Sequence, residues 1–267
     1  MSLEKVTVRT FRKMKEKGEK IAVLTAYDYF TARSLDEMGI DSILVGDSAN
    51  MVFYGAKTTL SITLEQMLYH TQAVSKAVKR ALVIGDMPFL SYQTSISKAI
   101  LNAGRFLKEG GADGVKIEGG KEMIETISRL IEVGIPVMGH IGMTPQSIGK
   151  LGGYSVQGKE EKKAQYLLES AKILEEAGCF SIVLECIPKE LAKKITSSLK
   201  IPTIGIGAGP DCDGQVLVVN DILGLYEEFK PKFVRRYAEL GKEIKKACKN
   251  YIEDVKEKKY PAEEESY

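Results

Sequence analysis

The sequence lacks the apolar runs that membranes require, since no stretch approaches the roughly 20 consecutive apolar residues of a spanning helix. Its N-terminus, MSLEKVTVRTFRKMKEKGEK, has no apolar h-region of a secretory signal. The expectation is a soluble, unexported protein that works in the cytoplasm, with no membrane partner. An excess of one charge sign is also lacking: 38 Lys and Arg oppose 36 Asp and Glu, with the two signs interspersed. No basic block tracks a phosphate backbone, so no nucleic-acid partner is expected. Cysteine is scarce and scattered. Cys179, Cys186, Cys212 and Cys248 show neither CxxC spacing nor a flanking pair of histidines, so they support no zinc site and no redox dithiol and are read as reduced thiols. Proline is sparse, at 8 in 267 residues, and no linker-like or low-complexity stretch interrupts the chain, which reads as a single domain over 1–267.

What is present is a repeating alternation. Eight short β-branched runs, IAVLTA (21–26), SILVG (42–46), ALVIGD (81–86), DGVKIE (113–118), IPVMGH (135–140), FSIVLE (180–185), IPTIGIG (201–207) and QVLVVN (215–220), are strand candidates. Between them, segments such as 29–39, 63–79, 94–109, 121–133, 160–178 and 189–199 repeat apolar residues every three or four positions, as amphipathic helices do. Thr63 and Thr94 are expected N-caps, and Gly110, Gly134 and Gly178 expected helix stops. Buried strands alternating with helices predict a parallel sheet, and eight βα repeats in about 200 residues suit a closed (β/α)8 barrel better than an open sheet. Residues 1–20 read as an extra N-terminal helical extension, 232–256 as a final long helix, and 257–267 as a polar, frayed tail.

In such a barrel the active site forms at the C-terminal strand ends. There the sequence places Asp47 and Ser48 after strand two, Asp86 at strand three, Lys116 and Glu118 at strand four, His140 at strand five and Glu185 at strand six. One strand-end Asp is commonly a helix cap or turn residue. Three acids on three successive strands, however, repel one another unless a cation or proton intervenes. Oxygen ligands without Cys or a neighbouring His favour Mg²⁺ over Zn²⁺. Lys116 and Glu118 alternate so that both face the barrel mouth; Lys116 then binds a substrate carboxylate or forms an internal salt bridge with Glu118 or Asp86. His140 is either a satisfied core histidine or a polar site residue. Glu185, in an otherwise apolar strand, is a candidate general base or a paired structural glutamate. The stretch GIGAGPDCDG (205–214) fails GxGxxG because Pro210 replaces the last glycine, and reads as a tight loop.

The chain resembles the ketopantoate hydroxymethyltransferase family over nearly its whole length. The resemblance rests on LTAYDYFTA (24–32), LVGDSANMV (44–52), TLEQMLYHTQAV (63–74), GDMPF (85–89), GVKIEGG (114–120), GHIGMTPQSI (139–148), GGYSVQG (152–158), VLECIP (183–188), IGIGAGPDCDGQVLV (204–218) and YPAEEES (260–266). It implies a TIM barrel of the phosphoenolpyruvate mutase-like type, assembled as a homodecamer, with one Mg²⁺ per subunit on Asp47, Asp86 and Glu118. It further implies binding of a small keto acid by Asp47, Ser48, Asp86 and Lys116, with His140 ordering keto acid or folate and Glu185 as proton acceptor. The implied reaction moves a one-carbon unit from 5,10-methylenetetrahydrofolate through a Mg-stabilised enolate. Tyr27 and Asp28 are placed near the pocket without definite roles. Three rivals stay open here: a Schiff-base aldolase using Lys116, a lyase of the phosphoenolpyruvate mutase and isocitrate lyase group, whose cysteine signature is not found, and a binding protein on a barrel scaffold.

Overall fold

The structure, a computed structural model, describes residues 4–226 and 231–267. Its contacts form two compact units, one ending at Leu217 and one beginning at Val218. In the first, β1 (Ile21–Thr25), β2 (Ser42–Val45), β3 (Leu82–Asp86), β4 (Gly114–Glu118), β5 (Val137–Gly142), β6 (Ser181–Glu185), β7 (Thr203–Ile206) and β8 (Gly214–Leu217) close in sequence order into a parallel barrel. The helix α1 (Val8–Lys17) precedes it. α2 (Tyr29–Glu37) follows β1; α3 (Ala49–Val52) and α4 (Leu64–Ala77) follow β2; α5 (Ile96–Lys108) and α6 (Ile124–Glu132) follow β3 and β4. α7 (Ile148–Leu151) and α8 (Glu161–Glu176) follow β5, and α9 (Lys189–Ser198) follows β6. The expected (β/α)8 barrel is the observed fold.

The boundaries follow from local chemistry. Thr63 starts α4 as expected, its hydroxyl accepting from Gln66 N while Gln66 Oε1 accepts from Thr63 N at 2.8 Å, a reciprocal capping box. α5 is capped by Ser95, not Thr94, because it is the Ser95 hydroxyl that reaches Lys98 N. The left-handed residue after α5 is likewise Gly111 rather than Gly110, whereas Gly134 and Gly178 adopt left-handed conformations as helix stops do.

The barrel interior changes character along its axis. Its lower layers are apolar: Ile21, Val23, Leu44, Leu82, Ile84, Met138, Val183, Ile204 and Val216 pack together with Phe11 of α1 and Val6. Phe11, fully buried and edge-on to Phe180 at 5.9 Å, plugs the N-terminal end, and Lys15 ties α1 to Asp213 at 2.8 Å. Two residues further along the same inward rows the side chains turn ionisable. Leu82 and Ile84 give way to Asp86, Met138 to His140, and Val183 to Glu185. This is the period-two alternation of a strand, carried from a sealed floor to a polar mouth.

In the second unit the strand expected at 215–220 is cut short: the chain turns helical in α10 (Val219–Ile222). A brief apolar run satisfies either a strand or a buried helical turn. The final helix is α11 (Leu240–Lys256), shorter at its start than the expected 232–256. The tail expected to fray instead folds back, with Tyr260 edge-on to Tyr251 at 5.5 Å and Lys259 N donating to Asp254 O at 2.8 Å.

Candidate active site

Register brings the polar strand ends together. Asp86 pairs across the sheet with Lys116, Glu118 with His140, and Gly142 with Glu185. Lys116 Nζ lies 2.9 Å from Asp86 Oδ1, 3.7 Å from Glu118 Oε1 and 3.1 Å from His140 Nδ1. His140 Nε2 in turn lies 3.2 Å from Glu185 Oε2. Asp47 stands two residues beyond the end of β2, where its backbone N donates to Asp86 Oδ2 at 3.0 Å. Lys116 therefore has the internal pairing that was the alternative to a ligand role, and that pairing also locates it among all three acids.

Asp47, Asp86, Lys116, Glu118 and His140 are all at most 5% exposed. Burial, reinforced by the charges of Asp86 and Glu118, holds the Asp47 carboxyl well above the ordinary carboxylate range. Burial also raises Asp86, with Lys116 pulling against it. Glu118 goes the other way: burial is outweighed by His140, Lys116 and a hydrogen bond from Gln146 N. Lys116 is pushed down by burial and up more strongly by Asp86, Glu118 and Asp47, so it is held as an ammonium. That charge removes the free amine a Schiff-base enzyme needs.

Two observations about His140 point in different directions. Burial and the Lys116 ammonium disfavour an imidazolium, Glu118 and Glu185 favour one, and the balance lifts the ring to about 9. Yet an ammonium only donates, so its 3.1 Å approach makes Nδ1 an acceptor. Glu118 Oε1 lies 3.5 Å from the same Nδ1 and Glu185 Oε2 lies 3.2 Å from Nε2, so the ring stands between the Lys116 ammonium and two carboxylates.

Glu185 itself sits nearer solvent than its apolar strand suggested, its side chain 14% exposed. Its main chain is clamped. Met143 N donates to Glu185 O at 2.8 Å, and Cys186 N donates to Ile206 O while Cys186 O accepts from Gln157 N, both at 2.8 Å. Cys186 is thereby held at φ 47, a left-handed conformation costly for a side chain with Cβ. Opposite it, Gly142 has φ 103, and any Cβ there would meet Glu185 O at 2.2 Å, so only glycine lets β5 approach. The Cys186 thiol is raised to about 11 by burial and by Glu185, which leaves it protonated and unlike an activated nucleophile.

Ser48 lies at the start of α3, makes no capping bond, and shares a 2.8 Å hydrogen bond with Tyr27 OH. Asp28 is a helix cap, accepting from Thr31 N at 2.9 Å. The sequence reading missed Gln146 and Tyr92. Gln146 Nε2 donates to Asp47 Oδ2 at 3.0 Å and to Met87 O at 2.9 Å, and its Oε1 accepts from Tyr92 OH at 2.8 Å. The available signal was position, since Gln146 lies in the loop after β5, on the face where barrel sites form.

Among the described residues no three acids, histidines or cysteines stand in a closed metal-ligand arrangement. The donor set nonetheless fits a divalent cation. Asp47, Asp86 and Glu118 share one buried ammonium, and Asp86 Oδ1 and Glu118 Oε1 lack hydrogen-bond partners; the Lys116 contact with Asp86 is an ion pair without hydrogen-bond alignment. Hard oxygen donors of this kind suit Mg²⁺.

The model of the family described as ketopantoate hydroxymethyltransferase matches residues 5–263. This chain belongs to that family. It is 56% identical to the 3-methyl-2-oxobutanoate hydroxymethyltransferase of Syntrophus aciditrophicus (strain SB), over 98% of this chain and 97% of that one. It is 55% identical to the protein of the same name from Carboxydothermus hydrogenoformans, over 99% and 96%. Family membership makes the chain an enzyme, a transferase. Among solved structures it resembles phosphonopyruvate hydrolase in complex with oxalate and Mg²⁺ (TM-score 0.63, 12% identity, 97% of this chain and 92% of that one). It also resembles 2,3-dimethylmalate lyase, a PEP mutase/isocitrate lyase superfamily member (TM-score 0.60, 17% identity, 96% and 89%). At these identities the likeness shows the barrel fold alone.

Proposed function

We propose that the chain transfers a hydroxymethyl group from 5,10-methylenetetrahydrofolate to 3-methyl-2-oxobutanoate, giving 2-dehydropantoate and tetrahydrofolate on the way to pantothenate and coenzyme A. The observation that carries this reading is one barrel mouth holding three acids around one ammonium, with Glu185 facing that cluster across His140 at 3.2 Å. Asp47, Asp86 and Glu118 would hold Mg²⁺, one per subunit, which when bound supplies Lewis-acid polarisation of the keto acid.

The chain's own residues do the rest. Lys116 pairs with the substrate carboxylate, to which Ser48, oriented by Tyr27, adds a hydrogen bond. Glu185 accepts the proton from C3, with His140 Nε2 standing 3.2 Å from its carboxylate. The resulting enolate carbon attacks the methylene carbon of the donor, and water then displaces tetrahydrofolate from it. The same reading gives a homodecamer in the cytoplasm, an assembly that sedimentation velocity measures directly.

The test follows the C3 proton of 3-methyl-2-oxobutanoate by NMR in D₂O with Mg²⁺, with EDTA, and with Mg²⁺ plus donor. Conversion that needs Mg²⁺ and donor is expected, and absence of C3 chemistry in every sample overturns the reading. Glu185→Gln should lose about 10²–10⁴-fold in turnover while keeping metal and keto-acid binding. Turnover near the parent's removes Glu185 as the base.

A further inference from the structure

The loop after α7 carries a side chain that crosses the barrel mouth. Gly152 (φ 71) and Gly153 (φ 119) turn the chain out of α7 through conformations open to glycine. Gln157 N then pins the loop to Cys186 O at 2.8 Å, beside Glu185, and Gly158 seats against Leu167 and Leu191. Between the turn and the pin stand only Tyr154, Ser155 and Val156.

Tyr154 reaches away from its own side of the ring, and its hydroxyl lies 3.9 Å from Met51 Sδ on α3, the short helix that follows β2. With the strands closed in sequence order, β2 lies opposite β6, so a contact from the loop pinned at β6 to the helix after β2 passes over the mouth. The acids below act on the phenol: burial raises Tyr154, and the charges of Glu185, Asp47 and Glu118 add to it. The thioether is a weak hydrogen-bond partner, so the hydroxyl has no strong bond to give up. Around it the rim is apolar and aromatic. Phe53, Tyr54 and Tyr154 are each at least half exposed, Met51 is 38% exposed, and Phe53 is fixed edge-on to Tyr27 and His70. The mouth is thus layered, with an acidic floor suited to a chelating acid and an aromatic rim suited to a flat ring.

We infer that Tyr154, with Met51 and Phe53, forms the subsite for the flat heteroaromatic ring of the one-carbon donor, and that Tyr154 sets the ring's position over the keto acid. This rests on the proposed reaction. A ring on this rim presents its one-carbon unit downward, onto the carbon that Glu185 deprotonates, and the same side chains exclude water from above. Neither Tyr154 nor Met51 is needed for proton removal from a keto acid already bound on the floor.

The test separates the two layers. Exchange of the C3 proton in D₂O, with Mg²⁺ and keto acid but no donor, reads the floor; the KM for 5,10-methylenetetrahydrofolate in the full reaction reads the rim. Tyr154→Ala is expected to raise the donor KM by about tenfold, while the exchange rate and the keto-acid KM stay within about twofold of the parent. Tyr154→Phe, which keeps the ring face, should hold the donor KM near the parent value. A donor KM unchanged in Tyr154→Ala, or an exchange rate that falls in parallel with it, overturns the subsite. Parent enzyme that neither exchanges nor turns over overturns the reaction on which the subsite rests.

Discussion

Replacing Gln146 by leucine tests whether the acidic floor is held from above by one amide. Leucine keeps the approximate volume and leaves the backbone bond from residue 146 to Glu118 in place. It removes the donor to Asp47 Oδ2 (3.0 Å), the donor to Met87 O (2.9 Å) and the acceptor for Tyr92 OH (2.8 Å) and Gln93 Nε2 (3.2 Å), all in a residue only 5% exposed. Three neutral hydrogen bonds at about 1 kcal/mol each and one to a carboxylate at about 2 kcal/mol sum to a loss of about 5 kcal/mol. Net stabilities are typically about 5–15 kcal/mol, so the variant should fold but melt at clearly lower denaturant with an unchanged slope. A second effect follows from charge. The amide favours ionised Asp47, so without it the carboxylate holds its proton harder and Mg²⁺ binding should weaken by about tenfold or more. Equilibrium unfolding in EDTA gives the first quantity and titration calorimetry the second. Stability within about 0.5 kcal/mol of the parent, together with unaltered Mg²⁺ affinity, would refute the argument that Gln146 organises the floor.

Lys116→Met strips Asp86 and Glu118 of their shared counter-charge, and breaking a buried pair of this kind should cost about 3–5 kcal/mol without metal; added Mg²⁺ should recover more stability than in the parent, and parent-like melting in EDTA would contradict the pairing. Cys186→Val places a β-branched residue at φ 47 and should lose about 1–3 kcal/mol and lower kcat with little change in keto-acid KM, whereas Cys186→Gly should be nearly neutral; equal melts for the two would remove the strain argument. Because burial and the neighbouring acids raise Asp47, and burial raises Asp86, the metal-free floor carries protons above the ordinary carboxylate range. The sign is therefore that Mg²⁺ affinity rises with pH and is lost as pH falls through the raised values, with protons released on binding. Calorimetry in buffers of different ionisation enthalpy reads that release, and buffer-independent heats would count against it.

The barrel was legible because parallel strands buried on both faces are continuous β-branched runs, and eight of them recur with helical periodicity between. It was least legible at its end. QVLVVN satisfies both a strand and a helical turn, and only the closure of β8 against β1 and β7 decides that the strand stops at Leu217. The acids, Lys116 and His140 were visible for a different reason: a strand that is apolar until its last residues breaks its own pattern, and such breaks mark function. Their spacing along the strands also predicted which way they face. Gln146 and Tyr92 break no pattern. Each sits in a polar loop where such residues are ordinary, and each is buried only because the loops after β5 and β3 fold over the floor.

The same distinction explains how the site holds together. Asp86, Lys116, Glu118 and His140 are placed by sheet register, which a one-residue slip would turn outward, so their geometry is fixed by the barrel closing at all. Asp47, Ser48, Gln146 and Tyr154 are placed by loops, and the first three are held by groups from elsewhere: Asp86 and Gln146 for Asp47, Tyr27 for Ser48, Tyr92 and Met87 for Gln146. Substitutions of the strand-borne acids Asp86 and Glu118 should weaken metal binding. At the rim, Tyr154→Ala is expected to raise the donor KM and leave C3 exchange, whereas Glu185→Gln is expected to lose the exchange and keep metal and keto-acid binding.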